Sequence, residues 1–198
     1  MKFTIKDGLL EQASQVQSPN FDERPPNQQI NLLVIHSISL PPGEFGGPWI
    51  DALFTNTLDL DVHPYFREHC NVEVSAHILI RRTGEIIQYV PLNQRAWHAG
   101  KSQFQGVPKC NDFSIGIELE GYDDVPYEDI QYETLASVTN TILANYPAIT
   151  PKRVVGHCDI APGRKTDPGP LFDWQRFRSL IQPSTFNQTS LDEDFNKA

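Results

Sequence analysis

Asp167 lies ten residues beyond His157 in the stretch VVGHCDIAPGRKTDPG, and Pro162, Gly163, Pro168 and Gly169 restrict that loop to defined turns. Such a loop can return a carboxylate to the histidine it left. A second imidazole, His36, closes the apolar run INLLVIHSI, and strand ends on a sheet are where functional loops gather. Two neutral imidazoles and one carboxylate leave the fourth position of a tetrahedral Zn²⁺ open for water, the ligand pattern of a catalytic site. Asp167 has an ordinary alternative as the cap of a helix starting near Leu171, although Pro168 and Pro170 make that start awkward.

Two further residues suit the same chemistry. Lys165, two residues before Asp167, offers a fixed cation for an oxyanion, against the commoner fate of a surface lysine. In SIGIELEG, alternation puts Ile115, Ile117 and Leu119 on one face of a strand and Gly116, Glu118 and Glu120 on the other. A carboxylate on an inner strand needs a reason. Glu118 is either a general base or the partner of a buried arginine, and Glu120 on the same face is its rival.

Other candidates carry less. RAWHAGKS places Trp97 and His98 in a loop, where Trp97 offers a flat surface for a sugar or peptide or else packs into the core. His77, within VSAHILI, suits a structural or ligand-orienting role, and His63 and His69 have no partner at metal spacing. GRKTDPG is not a phosphate loop, because its glycine spacing is wrong and its prolines remove backbone donors.

These residues need a sheet to hold them. INLLVIHSI (30–38) reads as a strand covered on both faces, VSAHILIRRTGEIIQYV (74–90) as a hairpin turning at Thr83-Gly84, and RVVGHC (153–158) as a short strand. Helical spacing is clearest in YEDIQYETLASVTNTILANY, which Pro147 stops; PWIDALFTNTL and LFDWQRFRSLI suggest shorter helices. Strands alternating with helices predict an α/β or α+β sheet protein, a single domain over residues 1–181. Residues 182–198 are polar and acidic and read as a tail.

Composition narrows the partners. With 198 residues the chain suits one domain, and its net charge of −9 lacks the basic patch that nucleic acid requires. No apolar stretch reaches membrane-spanning length and the N-terminus lacks a signal-peptide pattern, so the expected compartment is the cytoplasm, the expected state a monomer. Three cysteines without CxxC spacing fit free thiols in a reducing compartment.

Taken together, LLVIHSISLPPG, HPYFRE, VSAHILIRRTGEIIQYVPLNQRAWHAGKS, CNDFSIGIELEG and VVGHCDIAPGRKTDPGP resemble the AmpD-type 1,6-anhydro-N-acetylmuramyl-L-alanine amidases. These belong to the zinc amidase group that includes phage T7 lysozyme and peptidoglycan recognition proteins. The resemblance implies an α/β (α+β) fold with a central mixed β-sheet flanked by α-helices, and one Zn²⁺ held by His36, His157 and Asp167, with Glu118 and Lys165 catalytic. It implies cleavage of the amide between the lactyl group of anhydro-muramic acid and L-alanine in cell-wall recycling, with a small anhydro-muropeptide as substrate. Trp97, Lys109 and Ala161 match substrate-facing positions. Ser37 stands where the family has Asn, Lys109 where Arg is usual, and Glu73 at a place often basic; Lys cannot grip a carboxylate bidentately as Arg does. Two alternatives share the fold: a muropeptide sensor that binds without cutting, and a T7-lysozyme-like amidase acting on intact wall. Ala76 and Asp167 stand where that last branch carries Tyr and Cys.

Overall fold

The computed structural model describes residues 3–181. The expected tail, 182–198, lies outside the described residues. Among them, six strands form one mixed sheet: β1 (Ser14–Gln15), β2 (Leu32–Ile38), β3 (Ile78–Ile80), β4 (Ile86–Gln88), β5 (Ser114–Glu120) and β6 (Val154–Gly156). Their spatial order is β6-β2-β5-β3-β4-β1. β2 runs parallel to both β5 and β6, and β5 parallel to β3, whereas β3 and β4 are the expected antiparallel hairpin. A mixed sheet of this kind is what the family resemblance implies.

Alternation along β2 and β5 divides the core. Leu33, Ile35, Ile115, Ile117 and Leu119 face α3 (Asp129–Asn145), which packs Leu135, Val138 and Ile142 against them. Each of those buried side chains contributes about 1.5–3 kcal/mol. Helix α3 begins where Gln131 Oε1 accepts from the Glu128 amide at 3.1 Å, and it ends before Pro147. The other face of the same strands carries Leu32 and Val34, packed with Phe113, Val155 and Ile160, and beyond them His36.

The remaining helices are short. α1 (Trp49–Phe54) and α2 (Pro64–His69) pack Ile50, Phe54 and Phe66 beside Leu79 and Tyr89, while α5 (Trp174–Leu180) buries Phe177 near α3. α2 has too few turns to show a helical period, and the sequence reading did not mark it. The strand expected over 153–158 stops at Gly156, because His157 opens the single-turn helix α4 (His157–Ile160). No helix among the described residues is long and apolar enough to cross a membrane.

Candidate metal centre and active site

His36 and His157 reach the site from adjacent parallel strands, His36 within β2 and His157 one residue past β6. Asp167 returns to them because its loop is stitched back onto α4. The Cys158 amide donates to the Asp167 carbonyl at 3.0 Å, and the Arg164 and Lys165 amides both donate to the Ala161 carbonyl at 3.1 Å. From the other side the Tyr127 hydroxyl donates to the Pro168 carbonyl at 2.7 Å. Gly156 allows the approach, since a Cβ there would lie 2.9 Å from Pro168 Cδ. Asp167 does not cap a helix; α5 starts later, where Asp173 accepts from the Arg176 amide.

The three donor atoms converge. His36 Nδ1 lies 3.0 Å from His157 Nδ1, and Asp167 Oδ2 lies 3.1 Å and 3.0 Å from the two. Both imidazoles are buried and Asp167 is nearly so. His157 Nε2 lies 3.3 Å from the Ala99 carbonyl, which only accepts, so that nitrogen carries the proton and Nδ1 turns a lone pair inward. Nitrogen and carboxylate lone pairs packed this closely repel one another unless a cation lies among them. The set of two imidazoles and one carboxylate therefore fits a divalent metal, and it leaves room for an exogenous ligand. Burial, partly offset by the hydrogen bond with Asp167, lowers the His36 pKa to about 4. Burial opposes ionisation of Asp167, yet the adjoining His157 and His36 outweigh it and hold that carboxyl below the usual carboxylate range.

A cleft of about 520 Å³ opens over this cluster, and Glu118, Trp97 and Lys165 stand on its wall. Glu118 is buried and its Oε2 has no hydrogen-bond partner among the described residues. Burial first, then the charge of Asp167, raises its pKa well above the ordinary value, against the opposing charge of Lys165. Glu120, the rival on the same face, is fully engaged: Arg81 and the Gly46 and Arg82 amides all donate to its carboxylate. Trp97 has its indole Nε1 buried without a partner among the described residues, at the cleft wall. Lys109 and Ala161 are not on that wall. Lys109 is exposed in a left-handed conformation ahead of a 3₁₀ turn, and Ala161 is buried at the end of α4, where the loop to Asp167 begins.

Two residues beside the site have no role assigned from sequence. His98 is buried with Nδ1 2.8 Å from His36 Nε2, and Arg164 Nη2 donates to the Ala99 and Lys101 carbonyls at 2.8 Å. Burial, then the neighbouring His36, lowers the His98 pKa well below its ordinary value. The histidine in RAWHAGKS was the only available signal for the first; nothing in the sequence marks the second.

A buried His/His/Asp set beneath a cleft that also presents an unpartnered glutamate is the arrangement of a hydrolase. The chain belongs to the N-acetylmuramoyl-L-alanine amidase family, whose pattern matches residues 26–170. It is 60% identical over 181 residues to the 1,6-anhydro-N-acetylmuramyl-L-alanine amidase AmpD of Escherichia coli (strain K12), covering 91% of this chain and 98% of that protein. The AmpD of Citrobacter freundii is 59% identical over 184 residues, covering 93% and 98%. A crystal structure of a Se-Met AmpD derivative matches with a TM-score of 0.88 at 60% identity, covering 90% of this chain and 99% of that one. The complex of E. coli AmiD with anhydro-N-acetylmuramic acid-L-Ala-D-gamma-Glu-L-Lys matches at 31% identity and a TM-score of 0.55, covering 90% and 65%.

Proposed function

We propose that this chain is a zinc-dependent amidase that hydrolyses the bond between the lactyl group of 1,6-anhydro-N-acetylmuramic acid and L-alanine, releasing the stem peptide during peptidoglycan recycling. One observation carries the reading: the inward-facing Nδ1, Nδ1 and Oδ2 set lies beneath the same cleft as a buried glutamate with a free oxygen. Relatives bearing the AmpD name at about 60% identity over nearly their whole length support the substrate class.

His36, His157 and Asp167 would hold the metal. Bound there, Zn²⁺ supplies Lewis acidity toward the amide carbonyl and toward water. Glu118 takes a proton from the attacking water as its oxygen bonds to the carbonyl carbon, then passes that proton to the nitrogen as the C–N bond breaks. Burial suits Glu118 to this work by raising its affinity for the proton. Lys165 stands on the cleft wall and offsets negative charge that develops on the carbonyl oxygen. Trp97 presents an aromatic surface to the sugar or peptide. All five polar residues come from one chain, so a monomer suffices. The free thiols of Cys70, Cys110 and Cys158 support the cytoplasm as the working compartment.

The test is incubation of the purified, zinc-loaded protein with anhydro-muropeptide, with intact sacculi in parallel, followed by detection of free stem peptide. Release from the anhydro-muropeptide that stops on chelation is expected. Binding without release would identify a sensor, and preference for sacculi would identify an intact-wall amidase.

A further inference from the structure

A histidine can ligate through Nδ1 only when its single proton sits on Nε2, so something must dictate that choice for His36. The answer lies in a chain of contacts that starts at a backbone carbonyl. Ser114 Oγ is 2.6 Å from the Cys110 carbonyl, and since a carbonyl has no hydrogen, the serine hydroxyl donates to it. His98 Nε2 lies 3.0 Å from the same Oγ, whose hydrogen is already committed, so Nε2 carries the proton and donates. That leaves His98 Nδ1 as an acceptor. It faces His36 Nε2 at 2.8 Å, which must therefore donate in turn, and His36 Nδ1 is left with a lone pair directed at His157 and Asp167.

The surroundings of His98 are built around this geometry. Gly116, on the strand beneath, clears space for the ring: a Cβ there would lie 2.5 Å from His98 Cγ and Nδ1. Asn111 Oδ1 accepts from the amides of His98 and Ala99 at 3.2 Å and 2.8 Å, fixing the dipeptide. That dipeptide serves both imidazoles, His98 Nδ1 receiving the proton of His36 and the Ala99 carbonyl that of His157. Arg164 Nη2 spends its two hydrogens on the Ala99 and Lys101 carbonyls, which leaves His157 Nε2 to donate.

We infer that His98 is a positioning residue that, through Ser114 and the Cys110 carbonyl, selects the tautomer of His36 and keeps its Nδ1 available to the metal. The inference rests on the reading of His36, His157 and Asp167 as the metal set. Outer partners of this kind orient a ligating imidazole and raise its basicity, and their loss typically weakens metal binding about 10–100-fold.

The experiment uses the full chain loaded with zinc. Ring ¹⁵N–¹H correlation spectra should show His98 and His36 each protonated at Nε2; a His98 protonated at Nδ1 overturns the relay. Zinc affinity, measured by competition with a chromophoric chelator, should fall about 10–100-fold in His98→Phe. It should recover in His98→Asn, whose Oδ1 stands where Nδ1 stood. Equal affinity in all three proteins overturns the inference. Should the Phe variant not fold, Ser114→Ala removes one hydroxyl only and, once the metal is stripped, should let both His98 tautomers appear; an unchanged spectrum and affinity overturns the relay. Peptide release is measured separately, so a wild-type protein with these tautomers but no turnover supports the relay while rejecting the amidase reading.

Discussion

Glu118 and His36 are register partners on adjacent parallel strands, Ser114–Glu120 and Leu32–Ile38. The ladder of backbone hydrogen bonds thus sets the Glu118 carboxylate beside the His36 imidazole, independently of the loops. A one-residue slip would turn a strand's side chains to the opposite face, so the register is a condition of the chemistry. Replacing Glu118 by Gln keeps shape and register while removing the proton acceptor. Zinc content should be retained and turnover on anhydro-muropeptide should drop by about 10²–10⁴. Metal analysis and peptide release check this together, and unchanged turnover would move the base elsewhere.

The same substitution should have a pH-dependent effect on stability, measured on the metal-stripped protein. Glu118 has a folded pKa raised above its ordinary value of 4.5, so the folded state holds the proton more tightly than the unfolded one. Its contribution to stability is therefore full below about 4.5 and is lost as pH rises through the folded pKa. Gln does not titrate. Glu118→Gln should melt higher than wild type at neutral pH, with the difference closing as pH falls toward that value. A constant difference across the range would contradict the burial argument.

Removal of the metal should stop turnover and lower the melting temperature without dissolving the sheet. The main core under α3 is built from apolar side chains remote in character from the donor set. Re-addition at a hundred times the dissociation constant should restore about 2.7 kcal/mol, and the melting temperature should track metal concentration. Far-UV circular dichroism and thermal melts, with and without chelator, check both halves. Full activity in chelator would end the metal reading.

Much of this was legible in sequence because it depended on local period. Alternation alone put Glu118 opposite Ile115 and Ile117, and the punctuated loop from His157 to Asp167 implied its own return. What period could not do was separate Glu118 from Glu120, which share a face by definition. Arg81, 39 residues away, separates them by occupying Glu120. His98 was hidden for the same reason, since its role depends on Ser114 and Gly116 on a strand that follows it. The two-residue strands, such as Phe21–Asp22 paired with Arg95–Ala96, are too short to carry any alternation. Lys109 and Ala161 were placed by family likeness, and neither stands on the cleft wall.

Lys165 is exposed but close enough for its charge to act on Glu118, whose pKa it lowers. Lys165→Ala should cut kcat by about 10²–10³, the typical cost of losing one group that stabilises an oxyanion. It should also move the acid limb of the kcat/KM profile to higher pH, because the charge that favours ionised Glu118 is gone. A surface lysine would change neither. Both readouts come from one pH series on wild type and variant.

Glu120 makes the converse case, since it shares the face of Glu118 and does different work. Its carboxylate is almost wholly buried, and it binds Arg81 at 3.2 Å together with the Gly46 and Arg82 amides at 2.7 Å and 3.1 Å. Arg81 is held in turn by Asp51 at 2.8 Å, so the network ties the loop after β2 to α1 and the hairpin. Removing one member of a buried ion pair leaves the other charge uncompensated, at a cost of about 3–5 kcal/mol. Glu120→Ala should therefore destabilise the fold by that amount in denaturant titrations. Where the variant remains folded, kcat should stay within a few-fold of wild type, because the residue does not stand on the cleft wall. A stable Glu120→Ala protein with lost turnover would reverse the assignments of the two glutamates.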